Sequence, residues 1–300
     1  MSVHRASGPD SADGSVNEWG NGRRSVDGRM EKPLNEDLVN ELVSGVHNVL
    51  DPPGCSSSFL EHPVDRRRAV EVAVVHEHRF AFFYWMKWKH AQKSASLPDL
   101  VTIDWHDDVG GECDYTPRIL ESLNPRDENE LGLFCWLGLR SINDGHIAPA
   151  AYLDAFQNVH AIVKQGWDTG KRERDGRLID RNRREHRIEY HRSPAAFLRA
   201  FRKIEPGRQV LLDLDLDYFT RPDRSKEHRR QQRLSDDRIR QVLNPSGPLM
   251  EALLPRLAGM TIALEPEYCG GISNCVHLLD TVSDVLFQKP LLSAGCSWRL

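Results

Sequence analysis

Apolar positions along the chain fall into two rhythms. Short, nearly continuous runs, AVEVAVV (Ala69 to Val75), DLVTIDW, NVHAIV, QVLLDLDLDYF and GMTIAL, have the length and β-branched content of buried strands. Between them lie HEHRFAFFYWMKWKHAQ, ELGLFCWLGLRSI, PAAFLRAF, SGPLMEALLPRL and GGISNCVHLLDTVSDVLF, which read as helices. Before the first strand, NEDLVNELVSGVHNVL sets Leu38, Val39, Leu42, Val43, Val46 and Leu50 at helical spacing. Strands alternating with helices predict an α/β protein of three layers, a mostly parallel sheet covered by helices on both faces.

Three stretches break the rhythm. Residues 1–30 are rich in Ser, Gly, Asp and Arg with almost no aliphatic side chains, so they bury too little to offset the entropy of ordering and read as a tail. The folded domain is then 31–300. Lys171 to Arg192 and Arg221 to Arg240 are crowded with Arg among acidic residues. They read as solvated helix and loop, or, if the positive charges gather on one face, as a docking surface for an acidic peptide or a nucleic acid.

Composition narrows the class. With 300 residues, 39% of them apolar, the chain can bury a large core, and 40 basic against 44 acidic residues leave a net charge of -4. That balance argues against nucleic acid and membrane surfaces as general partners. The longest aromatic run, RFAFFYWMKWKH, is charged and well short of the roughly 20 apolar residues of a membrane span. Six cysteines without a CxxC pair, and no leading apolar segment, fit a reducing cytoplasm.

The candidate chemistry lies in three segments that all fall at carboxyl ends of expected strands, where α/β sheets bind ligands. His76, Glu77 and His78 follow the first strand; LVTIDWHDDVGGE (Leu100 to Glu112) carries Asp104, His106 and Asp108; LLDLDLDYF carries Asp213, Asp215 and Asp217. If the strands run through them, the alternating residues of each set share a face. Neighbouring carboxylates in a buried site repel and raise one another's pKa unless a cation compensates. Asp104, Asp108, Asp215 and Asp217 would balance two divalent cations, and His78 and His106 add nitrogen donors. A mixed oxygen-rich set favours Mn²⁺ over Zn²⁺.

These segments resemble the arginase and agmatinase superfamily of ureohydrolases, in which a His segment, an Asp-x-His-x-Asp segment and an Asp-x-Asp segment hold two Mn²⁺ on an α/β fold. Carried over, the resemblance makes His78, Asp104, His106, Asp108, Asp215 and Asp217 the ligands, with Asp213 in the position of the family's usual Ser; a one-step slip would make Asp213 and Asp215 the pair instead. The chain is most similar to a divergent branch with HEHRFAFFYW, TIDWHDD, LDLDLDYF and ALEPEYCGG segments, a resemblance spanning about 65–290. Members of that branch include peptide arginases, which convert arginine of ribosomally made peptides to ornithine. The usual Gly-Gly before the His is Val75 and His76 here, and the Asn- and Ser-bearing loop that holds free arginine is replaced by VGGECDYTPRIL.

The resemblance therefore implies Mn²⁺-dependent hydrolysis of a guanidinium within an arginine-containing precursor peptide. Glu265 and Glu267 are the candidates to hold the guanidinium, Asp108 to move a proton from water to the departing amine, and His146 to shuttle protons to bulk water. The Trp85 and Trp88 helix reads as core. Two other classes stay open: another hydrolase of C-N bonds on this scaffold, such as a free-guanidine ureohydrolase or a one-Zn²⁺ amide deacetylase, and a metal-stabilised binding protein without turnover.

Overall fold

The structure, a computed structural model, describes residues 51–91, 96–109, 117–140, 142–165, 176–202, 204–205, 207–222 and 231–300. The expected tail, the helix of 35–50, and residues 171–175 and 223–230 of the Arg-rich stretches lie outside the described residues.

Eight strands form one sheet: β1 (Ser56–Glu61), β2 (Ala69–Val75), β3 (Asp99–Asp104), β4 (Val159–Val163), β5 (Gly176–Ile179), β6 (Glu185–His191), β7 (Val210–Asp215) and β10 (Leu257–Ala263). A short hairpin, β8 (Thr220–Pro222) with β9 (Gln231–Arg233), stands apart. The sheet order is β1-β2-β10-β7-β3-β4-β6-β5. Its six central strands are parallel, and β1 and β5 close the edges antiparallel.

The period of two divides each strand between two cores. Leu212 and Leu214 of β7 face one core, and Leu211 faces the other, which puts Asp213 and Asp215 on the Leu211 face. That face is covered by α1 (Ala81–Ala91), α2 (Pro117–Ser122), α3 (Glu128–Leu133) and α4 (Ile147–Tyr152). The opposite face is covered by α5 (Pro194–Phe201), α6 (Asp236–Leu243), α7 (Pro248–Leu253) and α9 (Ile272–Leu286), while α8 (Pro266–Cys269) is a single turn after β10. The three-layer α/β architecture is thus as the pattern predicts. Among the described residues, no helix is long and apolar enough to cross a membrane.

Helix α1 is enclosed, with every residue from Ala81 to Met86 buried, as expected of a helix that is apolar all round. It lies close on the sheet because β10 offers Gly259. A Cβ there would stand 2.4 Å from Trp88 Cε3. Trp88 is pinned by its Nε1, which donates to Glu71 Oε2 at 2.8 Å.

The sequence pattern departs from the structure in three places. Glu185–His191 is a parallel strand beside β4 and Gly176–Ile179 its antiparallel neighbour, not solvated helix and loop. Among its described residues Arg177 pairs with Glu185, and Arg184 with Asp180 and with Asp154 from outside the stretch, so these charges are offset as it enters the sheet edge. β3 and β7 stop at Asp104 and Asp215, short of the ligand segments' ends. ELGLFCWLGLRSI changes from α3 to a wider π turn at Phe134–Gly138.

Candidate metal centre

Strand order reverses at the centre of the sheet. From β3 the chain proceeds outward to β4 and β6, then returns to β7 on the other side of β3 and continues to β10. The crevice at the carboxyl ends of such a reversal is where α/β sheets bind ligands. β2, β10, β7 and β3 deliver His78, Glu265, Asp215 with Asp217, and Asp104 with His106 and Asp108 to that crevice.

His78 sits in a 3₁₀ turn directly after β2 and is wholly buried. Its Nε2 donates to Asp213 Oδ2 at 2.7 Å. Asp213 also accepts from Thr102 Oγ1 at 2.9 Å and from Thr261 Oγ1 at 2.6 Å. Trp85 Nε1 donates in turn to the Thr261 hydroxyl at 3.3 Å. With its oxygens engaged in this way, Asp213 orients the His78 ring, and Nδ1 is left to point into the crevice. There, Asp108 Oδ2, Asp215 Oδ2 and Asp104 Oδ2 lie 2.9, 3.2 and 3.4 Å from Nδ1.

The strand alternation expected for Asp104, His106 and Asp108, and for Asp213, Asp215 and Asp217, holds only as far as each strand runs. Asp217 lies on a 3₁₀ turn, Leu216–Phe219, and reaches back to accept from Trp105 N at 3.0 Å. His106 N donates to Asp104 Oδ1 at 2.7 Å, and His106 Nδ1 stands 3.0 Å from Asp217 Oδ2 and 3.9 Å from Asp104 Oδ1. Asp108 turns inward through a left-handed backbone, φ 45°. Glu265 does the same at φ 42°, and both are non-glycine residues in a region that side chains disfavour.

Two ligand groups result, one around His78 Nδ1 and one around His106 Nδ1, with Asp104 between them. Asp104 Oδ2, Asp215 Oδ2 and His78 Nδ1 are buried without a hydrogen-bond partner. Octahedral ligands at about 2.1 Å from a divalent ion stand about 3 Å apart, close to the separations observed. The residues present fit divalent cations. Burial and then Asp108, Asp215 and Asp217 hold the Asp104 carboxyl well above its usual range. Burial and Asp217 push Asp215 up to about 7. Burial depresses His78, but Asp213 and the other carboxylates outweigh it and raise its pKa well above the ordinary value. Each shift expresses a demand for positive charge.

The remaining expected site residues divide sharply. Glu265 is buried at the N-terminus of α8, where its Oε1 accepts from His78 N at 3.3 Å, and burial followed by Asp215 holds its carboxyl well above the ordinary range. Glu267 is exposed. His146 is brought to the centre, its ring centroid 4.4 Å from that of His78 and its Nδ1 3.9 Å from Asp108 Oδ2. It has no exposed surface and packs 5.3 Å from the Trp85 ring, so it lacks the solvent access that a shuttle to bulk water requires. Burial, then His78, keeps its imidazole far below the ordinary pKa.

Thr102, Thr261 and Tyr268 are the neighbours that sequence reasoning missed. Thr102 was findable, two residues before Asp104 on the same strand face. Tyr268, whose ring lies 5.4 Å from that of His106, and Thr261 are joined to the centre only by the fold.

Fold and centre together define an α/β protein with a buried carboxylate and imidazole site suited to two divalent cations. No protein-family model and no curated protein matches the chain. Among solved structures it is similar to proclavaminate amidino hydrolase from Streptomyces clavuligerus, at 10% identity over 70% of this chain and 59% of that one, TM-score 0.38. It is also similar to a hypothetical agmatinase from Burkholderia thailandensis, at 14% identity over 71% of this chain and 56% of that one, TM-score 0.36. The chain spans less than two thirds of the length of either.

Proposed function

We propose that the chain hydrolyses the guanidinium of arginine residues held within a precursor peptide, giving ornithine and urea, with two Mn²⁺ ions in the centre. Glu265 is the observation that carries the reading. Four carboxylates, Asp104, Asp108, Asp215 and Asp217, match the charge of two divalent cations, and Asp213 is held by His78 and two threonines. Glu265 is a further buried acid beside them whose carboxylate accepts from His78 N. A buried carboxylate left over after the cations are balanced suits a cationic substrate.

His78, Asp104, Asp108 and Asp215 would hold one ion and His106, Asp104, Asp215 and Asp217 the other. Bound there, divalent ions supply Lewis acidity and lower the pKa of water enough to provide hydroxide near neutral pH. Glu265 pairs with the guanidinium, fixes its carbon in the crevice and offsets the positive field that would otherwise expel it. Water adds to that carbon, the bond to the side-chain nitrogen breaks, and Asp108 passes the proton lost by water to the departing ornithine amine. His146, neutral and buried, keeps the His78 ring in place.

Peptide-bound arginine is favoured because the stretch after Asp108 lacks the Asn- and Ser-bearing loop that would bind a free α-amino and α-carboxylate group. Binding energy must then come from the flanking peptide. The test is incubation with Mn²⁺ and either arginine-containing peptides or free arginine, with ornithine and urea followed by mass spectrometry. Faster turnover of peptides is expected. Equal turnover of free arginine would remove the peptide from the reading, and no urea from either would remove the reaction.

A further inference from the structure

On the sheet face opposite the carboxylate centre, β4 and β6 carry a second imidazole-rich group. Their parallel register sets His160 against Glu189 and Ile162 against His191, so His160, Glu189 and His191 share one face. The imidazole rings of His160 and His191 stack at 5.7 Å and 23°. Phe197 of α5 stands edge-on to both, at 5.9 and 5.4 Å. Glu189 Oε2 lies 3.6 Å from His160 Nδ1 and 3.9 Å from His191 Nε2, and one donor atom from each residue lies within 4.8 Å of the other two.

His160 needs a reason to be there. It is 3% exposed and neither ring nitrogen has a hydrogen-bond partner, a loss of about 1–3 kcal/mol for a buried polar group. The gaps of 3.6 and 3.9 Å to Glu189 are too long for hydrogen bonds. They are near the separation of about 3.4 Å between donors placed tetrahedrally at about 2.0–2.1 Å from one ion. Behind His160, Asp99 Oδ2 stands 3.9 Å from Nε2, and Asn158 N and Nδ2 hold the other Asp99 oxygen, each at 3.1 Å. At 3.9 Å this is not a hydrogen bond, but it is the nearest carboxylate for Nε2–H to close on once Nδ1 takes an ion, the usual support of a ligating histidine. The Glu189 side chain is 40% exposed, which gives an ion a way in and leaves a fourth position to water.

We propose that His160, Glu189 and His191 bind one Zn²⁺, a site separate from the carboxylate centre and of different chemistry. Two imidazoles and one carboxylate with an open fourth corner form a set that Zn²⁺ accepts, whereas the carboxylate-rich centre favours a harder ion. The ion joins two adjacent parallel strands near the end of the sheet. The group formed by Asp154, Asp180 and His186 offers no such site. Arg184 already pairs with both carboxylates, and His186 Nδ1 is hydrogen-bonded to Gln157 O at 2.9 Å.

Co²⁺ serves as the spectroscopic stand-in for Zn²⁺. The full chain carrying Asp104→Asn and Asp215→Asn, stripped with a chelator, is titrated with Co²⁺ alone. One equivalent should produce the intense visible bands of four-coordinate Co²⁺, bleached by Zn²⁺ and lost when His191→Gln is added. Asp99→Asn should weaken uptake about 10–100-fold. Because that multiple variant risks misfolding, native mass spectrometry also compares the otherwise unaltered chain with its His160→Gln, His191→Gln form, which should hold one ion fewer. Absence of the bands in a chain with native circular dichroism, bands that survive His191→Gln, or equal ion counts in the second comparison would each overturn the site. The outcome would then be a protonated His160 lying between Asp99 and Glu189.

Discussion

His78 Nε2 donates to Asp213 Oδ2 at 2.7 Å, and this one bond decides which nitrogen of the ring is offered to the crevice. Asp213, which the chain's pattern left as a rival ligand, is instead occupied by His78, Thr102 and Thr261. Asp213→Asn removes the charge that stabilises the Nε2-H tautomer while keeping the side chain's shape. Mn²⁺ affinity measured by calorimetry should fall about 10–100-fold with circular dichroism unchanged. Unaltered affinity would mean that packing alone orients His78.

Glu265→Gln should leave both ions in place, by elemental analysis, while the Michaelis constant for an arginine peptide rises about 10–100-fold, the worth of a lost charge-assisted hydrogen bond. Glu267 is exposed, so Glu267→Gln should change neither quantity. The reverse ranking of the two variants would assign the guanidinium to Glu267.

Gly259→Ala is a packing prediction independent of metal. The added Cβ meets Trp88 2.4 Å away, and Trp88 cannot swing aside without releasing Glu71. A loss of about 1–3 kcal/mol in urea unfolding is expected. Full stability would show that α1 can lift from the sheet.

Lys164 predicts a pH dependence. Its ammonium group lies over the Tyr218 and Trp105 rings, at 4.2 and 5.2 Å, and hydrogen-bonds Tyr218 O; burial lowers its pKa to about 8. The unfolded value is about 10.4, so between the two the unfolded chain binds more protons and stability rises with pH. Below about pH 8 the folded state carries the full penalty of the buried charge, and the penalty fades toward about pH 10. In urea unfolding of the metal-stripped chain, the native protein should gain on Lys164→Met across that window. A constant difference would contradict the desolvation.

Much of this organisation is legible along the chain. Runs such as AVEVAVV and QVLLDLD are strands because continuous β-branched and aliphatic residues bury both faces, and the enclosed α1 follows from an aromatic stretch with no polar side. The period of two also places Asp213 and Asp215 together, since both lie within β7. It fails for His106, Asp108 and Asp217, because β3 ends at Asp104 and β7 at Asp215, two or more residues before them, and turns bring these side chains in. His146 and Glu265 carry no local mark of their place. The stacked pair His160 and His191 is equally silent, as it depends on β6 settling beside β4 from a stretch whose charges resemble those of a solvated loop. Periodicity is a property of neighbours in sequence and survives in any fold. Which strands become neighbours, where each one stops, and which side chains then lose water together depend on packing the whole chain at once, and that is where the two candidate ion sites arise.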